Sequence, residues 1–296
     1  MEFRSGFVAV IGRPNVGKST LMNQLVGEKV AIMSSKPQTT RNSIRGVVNR
    51  PNCQMVLVDT PGLHRPKNRL GEWMIRSAMN ALGDVDVVLY LVEPERTIGP
   101  GDRYILDLLK DIKTPVILII NKIDMADPQL LEHCHQLYKE EMHFHRIIPV
   151  SASLGVHLDQ IMEATESLLP EGPRYFPEDM LTDQPERVMM AELIREKILH
   201  YMEQEIPHGI AVVLDEMTFY EERDIVEIQA TIFCEKKSHK GMVIGKSGRK
   251  LKGIGKSARE DMERFLGTRV YLQLWVKVKE GWRDQAASLR DFGYFE

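Results

Sequence analysis

The chain has 296 residues, of which 43% are hydrophobic, and a formal net charge of −3, which allows one to three domains with apolar cores. It holds no apolar run of about eighteen residues, and the short apolar stretch at Phe7 leads straight into a glycine-rich turn, so neither a helical membrane span nor a secretory leader is expected. The three cysteines, Cys53, Cys134 and Cys234, lack pairing or metal-ligand spacing, which argues against a disulfide scaffold and fits a reducing compartment.

Phe7–Ile11 is an apolar run that reads as a buried strand, and Thr20–Leu25 reads as the start of a helix. Between them lies Gly12-Arg13-Pro14-Asn15-Val16-Gly17-Lys18-Ser19, the G-x-x-x-x-G-K-S spacing of a phosphate-binding loop. Its glycines let backbone N–H groups curl around phosphate oxygens. Lys18 can reach the β- and γ-phosphates, and the Ser19 hydroxyl can ligate Mg²⁺. The strand before and the helix after supply the context the motif needs.

Gln38-Thr39-Thr40-Arg41 follows, where a sensor of the third phosphate belongs. A threonine hydroxyl there can complete a Mg²⁺ shell while the γ-phosphate is present and release it afterwards. Strand-like runs at 45–49 and 55–58 come next, and the second ends in Asp59-Thr60-Pro61-Gly62-Leu63. Asp59 suits a carboxylate that holds Mg²⁺ through water, and the Gly62 N–H can approach the γ-phosphate. Leu63 stands where Ras-type GTPases use Gln to orient the attacking water. Leucine cannot hydrogen-bond water, so slow unassisted hydrolysis is expected.

A helix-like stretch near 69–82, a strand at 86–92 and a helix near 101–111 lead to the strand 116–120. Asn121-Lys122-Ile123-Asp124 then selects the base. Asp124 can accept from guanine N1–H and the N2 amine, whereas adenine would present an acceptor at N1 and no amine, so ATP should be rejected. Asn121 would brace the loop and reach the N7/O6 edge, and the Lys122 stem can lie along the purine face. After a helix near 128–141 and a strand at 146–150, Ser151-Ala152-Ser153 offers the Ala152 N–H to guanine O6. His133, His135, His143 and His145 read as solvated helix positions, because residues two apart point to different faces.

The alternation over residues 1–170 predicts a doubly wound α/β sheet with nucleotide loops at the C-terminal strand ends. Pro170, Pro173, Pro177 and Pro185 then interrupt any helix and predict a linker over 171–187. From 188 to 296 the pattern changes to α-β-β-α-α-β: an amphipathic helix Val188–Glu203, strands Ile210–Phe219 and Asp224–Glu235 joined at Tyr220–Arg223, two helices, and the strand Arg269–Val278. Between the two helices, Val243-Ile244-Gly245-Lys246-Ser247-Gly248-Arg249 carries the Gly-x-x-Gly of a KH fold, with Lys240 just ahead of it. Such a loop can clamp a four-nucleotide single strand. Fourteen Lys/Arg against four Asp/Glu between Lys236 and Arg283 give this region the charge of a nucleic-acid-binding surface on an otherwise acidic chain. Trp73, Trp275 and Trp282 read as packing residues rather than stacking platforms.

Together these motifs, with the ending Trp275-Val-Lys-Val-Lys and Trp282-Arg-Asp, closely resemble the Era family of bacterial GTPases over essentially the whole chain. The resemblance implies a Ras-like GTPase domain and a type II KH domain, GTP/GDP and Mg²⁺ as ligands, and slow turnover. It assigns GTP binding to Gly12, Arg13, Pro14, Asn15, Val16, Gly17, Lys18, Ser19, Thr20, Asp59, Thr60, Pro61, Gly62, Leu63, Asn121, Lys122, Asp124, Ser151 and Ala152. Resemblance to translation-type GTPases favours Thr40 over Thr39, so Ser19, Thr40 and Asp59 are the expected Mg²⁺ set and Lys18, Thr40 and Gly62 the catalytic residues. Asn15 goes, in relatives, with a K⁺ ion that supplies transition-state charge. RNA contacts would fall on Lys240, Ile244, Gly245, Lys246, Ser247, Gly248 and Arg249.

The implied partners are the 3′ end of 16S ribosomal RNA and the 30S subunit, for a cytoplasmic monomer with peripheral contact at the inner membrane. Three rivals stay open: an ATP-dependent P-loop enzyme, an RNA-binding scaffold with a structural nucleotide, and a GTPase switch recruited to a membrane surface by its basic segment.

Overall fold

The structure, a computed structural model, describes residues 2–34, 36, 38–63, 66, 68–202 and 209–294. It divides into two compact units, whose main boundary falls at Asp183/Gln184.

The first unit is built on a six-stranded sheet: β1 (Arg4–Gly12), β2 (Ile44–Arg50), β3 (Cys53–Asp59), β4 (Val87–Val92), β5 (Val116–Ile120) and β6 (Arg146–Pro149). The strand order is β2-β3-β1-β4-β5-β6. All neighbours are parallel except β2 and β3, which pair antiparallel from Ile44↔Asp59 to Arg50↔Cys53. The sheet is thus doubly wound as expected, with one antiparallel edge strand. Only Pro51 and Asn52 separate β2 from β3, too short a connection for a parallel crossover.

Successive side chains of β1 serve opposite layers. Val8 and Val10 join one core with Leu21 and Met22 of α1 (Lys18–Val26) and Ile161 and Ala164 of α5 (Leu158–Leu168). Ala9 and Ile11 join the other, with Ala78 and Leu82 of α2 (Arg69–Gly83), Ile105 and Leu106 of α3 (Pro100–Leu109), and Cys134 and Tyr138 of α4 (Pro128–Lys139). Burial on both faces explains why β3, β4 and β5 are unbroken apolar or near-apolar runs. Each fully buried aliphatic side chain contributes about 1.5–3 kcal/mol. Such a stack holds the loops at the C-terminal strand ends rigidly.

The proline-rich stretch runs along this unit instead of hanging free. Gln54, buried in β3, accepts the Tyr175 and Phe176 N–H groups at 2.7 and 3.0 Å and donates to the Phe176 carbonyl at 2.9 Å. The Val47 N–H of β2 donates to the Leu181 carbonyl at 2.8 Å, and Ser5 Oγ donates to the Pro173 carbonyl at 2.6 Å.

The second unit carries α6 (Glu186–Tyr201), β7 (Ile210–Tyr220), β8 (Ile225–Cys234), α7 (Lys237–Ile244), α8 (Arg249–Leu266), β9 (Arg269–Val278) and α9 (Ala286–Asp291). β8 is central, antiparallel to β7 and parallel to β9. The order α-β-β-α-α-β is as predicted, and α9 adds a short helix after it. The helix α6 is not the one-sided amphipathic helix expected, however. Met189, Met190, Leu193, Ile194, Arg195, Glu196, Ile198 and Leu199 are all buried and cover most of its circumference. Glu203, the expected end of that helix, lies outside the described residues.

Trp282 is fully buried and donates Nε1–H to the Gly209 carbonyl at 3.1 Å, whereas Trp275 is 43% exposed and does not pack as expected. Trp73 is half-buried, with Nε1 bonded to Asn42 Oδ1 at 3.3 Å. His143 and His145 lie in the loop after α4 rather than on it. Among the described residues, no helix is long and apolar enough to cross a membrane.

Candidate functional site: three loops at the strand ends and a glycine loop on the second unit

Arg13–Gly17 links β1 to α1. Gly17 takes φ 100°, and a Cβ there would stand 2.3 Å from Asn121 Nδ2, so only glycine fits. No side chain caps α1, which leaves its first N–H groups facing the loop as an anion site. Lys18 is buried, and its Nζ donates to the carbonyls of Gly12 (3.1 Å) and Arg13 (2.8 Å). Burial lowers its pKa to about 8, and the charge of Asp59 opposes the shift.

Asp59 closes β3. Its Oδ2 accepts from Ser19 Oγ at 2.7 Å and Thr40 Oγ1 at 3.0 Å, and the two hydroxyls lie 3.0 Å apart. The structure brings Thr40, not Thr39, to this point, and Thr40 is buried. Burial raises the Asp59 pKa, and Lys18 and the two hydroxyls pull it back. Among the described residues Asp59 Oδ1 is buried without a hydrogen-bond partner. Among the described residues, no group of three His, Cys, Asp or Glu side chains gathers there for a metal. Two hydroxyls and an under-bonded carboxylate do fit a hard cation that completes its shell with phosphate and water oxygens.

Gly62 lies flat on the P-loop: a Cβ would sit 2.7 Å from the Pro14 nitrogen. The Leu63 N–H donates to the Gly12 carbonyl at 3.2 Å, and Thr60 Oγ1 donates to the Val10 carbonyl at 2.9 Å. The Leu63 side chain turns away into the apolar layer with Ala9, Ile11 and Ala78. It is therefore not merely a poor substitute for glutamine, since it does not face the phosphate loop. His64 lies outside the described residues.

The base loop is tied to both neighbours. Asn121 Nδ2 donates to the Val16 carbonyl at 2.8 Å, and its Oδ1 accepts the Ala152 N–H at 3.0 Å. Both ends of this amide brace loops. Guanine N7 and O6 are acceptors, so the expected reach of Asn121 to them would use Nδ2, which here donates to the Val16 carbonyl, while the Ala152 N–H expected at O6 donates to Asn121 Oδ1. Ser151 Oγ donates to Asp124 Oδ1 and orients that carboxylate. Asp124 is exposed rather than buried, so its desolvation would come only with the base. Lys122 takes φ 64°, and its Nζ donates to the Asn15 carbonyl at 2.9 Å and to Glu93. Arg13, expected at the nucleotide, sends its side chain to Glu95 and Asp102 instead, which leaves only its main chain for phosphate. Sequence reading missed Glu93, Glu95 and Asp102. Their one signal is a cluster of acids just past a fully buried central strand.

On the second unit, Gly245 ends α7 at φ 71° and ψ 177°, and a Cβ there would meet Lys250 Cβ at 2.7 Å. Lys246, Ser247 and Arg249 are exposed around the turn, while Ile244 packs partly into the core. Beside the turn a cleft opens between α8 and β9, floored by Leu251, Leu272 and Leu274 and rimmed by Arg249, Lys252 and Lys256. Gly255 brings the helix backbone close to Leu274, with its Cβ position 3.4 Å from Leu274 Cδ1.

A family profile for 50S ribosome-binding GTPases matches residues 7–122, and a KH-domain profile matches residues 205–283. GTPase Era of Alkaliphilus metalliredigens is 59% identical over 294 residues, 99% of this chain and 100% of the relative. The chain belongs to the Era family of GTPases.

GTPase Era of Clostridioides difficile is 54% identical over 293 residues, with 99% of both chains covered. Among solved structures, an Era crystallised with MgGDPNP and nucleotides 1506–1542 of 16S ribosomal RNA superposes with a TM-score of 0.96 at 40% identity, covering 99% of this chain and all of that one. A single-substitution variant of Aquifex aeolicus Era bound to GDP and AlF4⁻ superposes with a TM-score of 0.95, also at 40% identity and with the same coverage. An Era-family GTPase domain therefore accounts for the P-loop, Asp59 and Asn121–Asp124 geometry, and a KH domain for the glycine turn and basic cleft.

Proposed function

We propose that this GTPase is a switch that binds the 3′ end of 16S ribosomal RNA through its KH domain and assists maturation of the 30S subunit. A GTPase domain at 1–170 and a KH domain at 188–296 go with that reading, with the stretch 171–187 between them bonded to the first through Pro173, Tyr175, Phe176 and Leu181. The observation that carries it is the meeting of Thr40 Oγ1 with Ser19 Oγ and Asp59 Oδ2. A segment that reaches the metal set through a threonine hydroxyl is held when a third phosphate is present and freed when it leaves.

Ser19 and Thr40 would hold Mg²⁺ directly and Asp59 through water, and the ion supplies charge neutralisation between the β- and γ-phosphates. Lys18 and the uncapped N-terminus of α1 stabilise the transferring phosphoryl group. Gly62 offers its N–H from a backbone pressed against Pro14. Asp124 recognises the guanine amine, and Asn121 holds the base loop to the P-loop. With Leu63 turned into the core, water is oriented by main-chain groups or by a partner, so turnover is slow. Asn15 would hold a K⁺ ion that supplies transition-state charge, and faster hydrolysis in KCl than in NaCl is the expected sign of it.

In the KH domain the apolar floor of the α8/β9 cleft takes unstacked bases while Lys246, Arg249 and Lys252 meet phosphates. A ribosomal RNA substrate goes with a cytoplasmic location. The test is fluorescence anisotropy of an RNA with the 16S 3′ sequence, titrated with GDP and with a non-hydrolysable GTP analogue present. Tighter binding with the analogue is expected. Equal affinity would leave the nucleotide with no influence on the RNA and overturn the switch.

A further inference from the structure

The segment after β4 carries three carboxylates, and each is directed at a nucleotide loop. Glu93 pairs with Lys122 of the base loop. Glu95 Oε1 lies 2.6 Å from Arg13 Nη2 of the P-loop. Asp102, in the first turn of α3, places Oδ2 2.7 Å from Arg13 Nε and accepts the Tyr90 hydroxyl on Oδ1 at 3.1 Å. Asp102 is 2% exposed, while Glu95 is 42% exposed at its side chain. The α3 backbone also touches the arginine stem: a Cβ on Gly101 would come 2.7 Å from Arg13 Cδ. The carbonyl of the same arginine accepts Lys18 Nζ at 2.8 Å.

These contacts form one line, Tyr90 to Asp102 to Arg13 to Lys18. Its far end is the lysine of the phosphate loop, and its near end is the buried Tyr90 hydroxyl that orients the buried Asp102 carboxylate. A buried ion pair contributes little net stability compared with an apolar pair of the same size, but it fixes direction. Here the direction fixed is that of the P-loop residue Arg13.

We propose that Asp102 is a positioning residue of the GTPase site, acting through Arg13 to set the P-loop carbonyl that holds Lys18, with Glu95 as the outer support of the same arginine. With a neutral residue at 102, Arg13 keeps only its exposed partner. Its guanidinium turns outward, the carbonyl at 13 shifts, and the P-loop lets nucleotide go faster.

The test is stopped-flow release of a fluorescent GDP from the full-length protein, beside the melting temperature of the nucleotide-free form. Asp102→Asn keeps the hydrogen bond to Tyr90 and loses the charge. It should release GDP about tenfold faster, the size expected for a charge-assisted contact. Arg13→Gln should show the same loss, and the double variant no more than either single, because all act through one line. Glu95→Gln should have a smaller effect, about threefold. Wild-type release from Asp102→Asn, or losses that multiply in the double variant, would overturn the proposal, and a change confined to the melting temperature would reduce Asp102 to a packing role. Should Asp102→Asn fail to fold, Tyr90→Phe leaves the ion pair and removes only its orienting hydroxyl. It should release GDP about twofold faster, and wild-type release would count against the proposal. The wild-type affinity for GDP, measured alongside, tests separately the nucleotide reading on which the proposal rests.

Discussion

Asn121 donates from Nδ2 to the carbonyl of Val16 at 2.8 Å, joining the base-selecting loop to the phosphate loop across 105 positions of sequence. The same side chain accepts the Ala152 N–H, so one amide holds three loops. Asn121→Ala leaves two buried main-chain groups unpaired, at a cost of about 3 kcal/mol. GDP and GTP affinity should both fall about a hundredfold in a fluorescence titration. A loss for GTP alone would show that Asn121 acts on the third phosphate rather than on loop architecture.

Leu63 invites a substitution that restores the glutamine of Ras-type enzymes. Its side chain lies in the apolar layer at 1% exposure, so Leu63→Gln buries an amide among Ala9, Ile11 and Ala78. Destabilisation of about 2–4 kcal/mol is expected, with no gain in turnover. Thermal unfolding and a phosphate-release assay check both. Faster hydrolysis in a stable variant would mean that residue 63 can swing into the site.

Lys18 sets a pH dependence. Its pKa in the nucleotide-free protein is lowered to about 8 by burial. Phosphate oxygens favour the charged form, so above about pH 8 binding must bring in a proton. GTP affinity should therefore be flat from pH 7 to about 8 and fall towards tenfold per pH unit beyond it. Calorimetry at about pH 8.5 in buffers of different ionisation heat should register the proton uptake. The sign for stability is the reverse. The unfolded chain holds the Lys18 proton to higher pH than the folded chain, so this group makes the empty protein more stable as pH rises through and beyond about 8.

Gly245→Asp should separate the two activities. The new side chain collides with Lys250 in a backbone conformation of φ 71° and sets a negative charge in the basic turn. RNA affinity should drop at least about thirtyfold, while GTP turnover without RNA stays within about twofold of wild type. Filter binding and steady-state hydrolysis on one preparation suffice. Retained RNA binding would move the RNA site off this turn.

Much of this was legible in the residues because the signals were local. Val116–Ile120 reads as a strand because both its faces are covered, and Asn121 follows directly, so strand and motif confirm each other. Thr40 was separable from Thr39 only by resemblance, since the loop between α1 and β2 has no periodicity. The burial around α6 was hidden because periodicity reports one covering surface, and α6 packs against both β7 and α8. Glu93 and Asp102 left no motif at all: their meaning lies in Lys122 and Arg13, one 29 residues away and the other on a different strand end. A side chain whose partner is another distant side chain has no spacing rule.

The bonds that Gln54, Val47 and Ser5 make to residues 173–181 bear on how this protein can be cut into pieces. A GTPase fragment ending at Pro170 would strip the outer edge of β2 and leave a fully buried amide at Gln54 without its main-chain partners. Bare edges recruit other chains, so that fragment would be prone to self-association. A fragment carried on to Asp183 keeps its own selvedge and should stay dispersed.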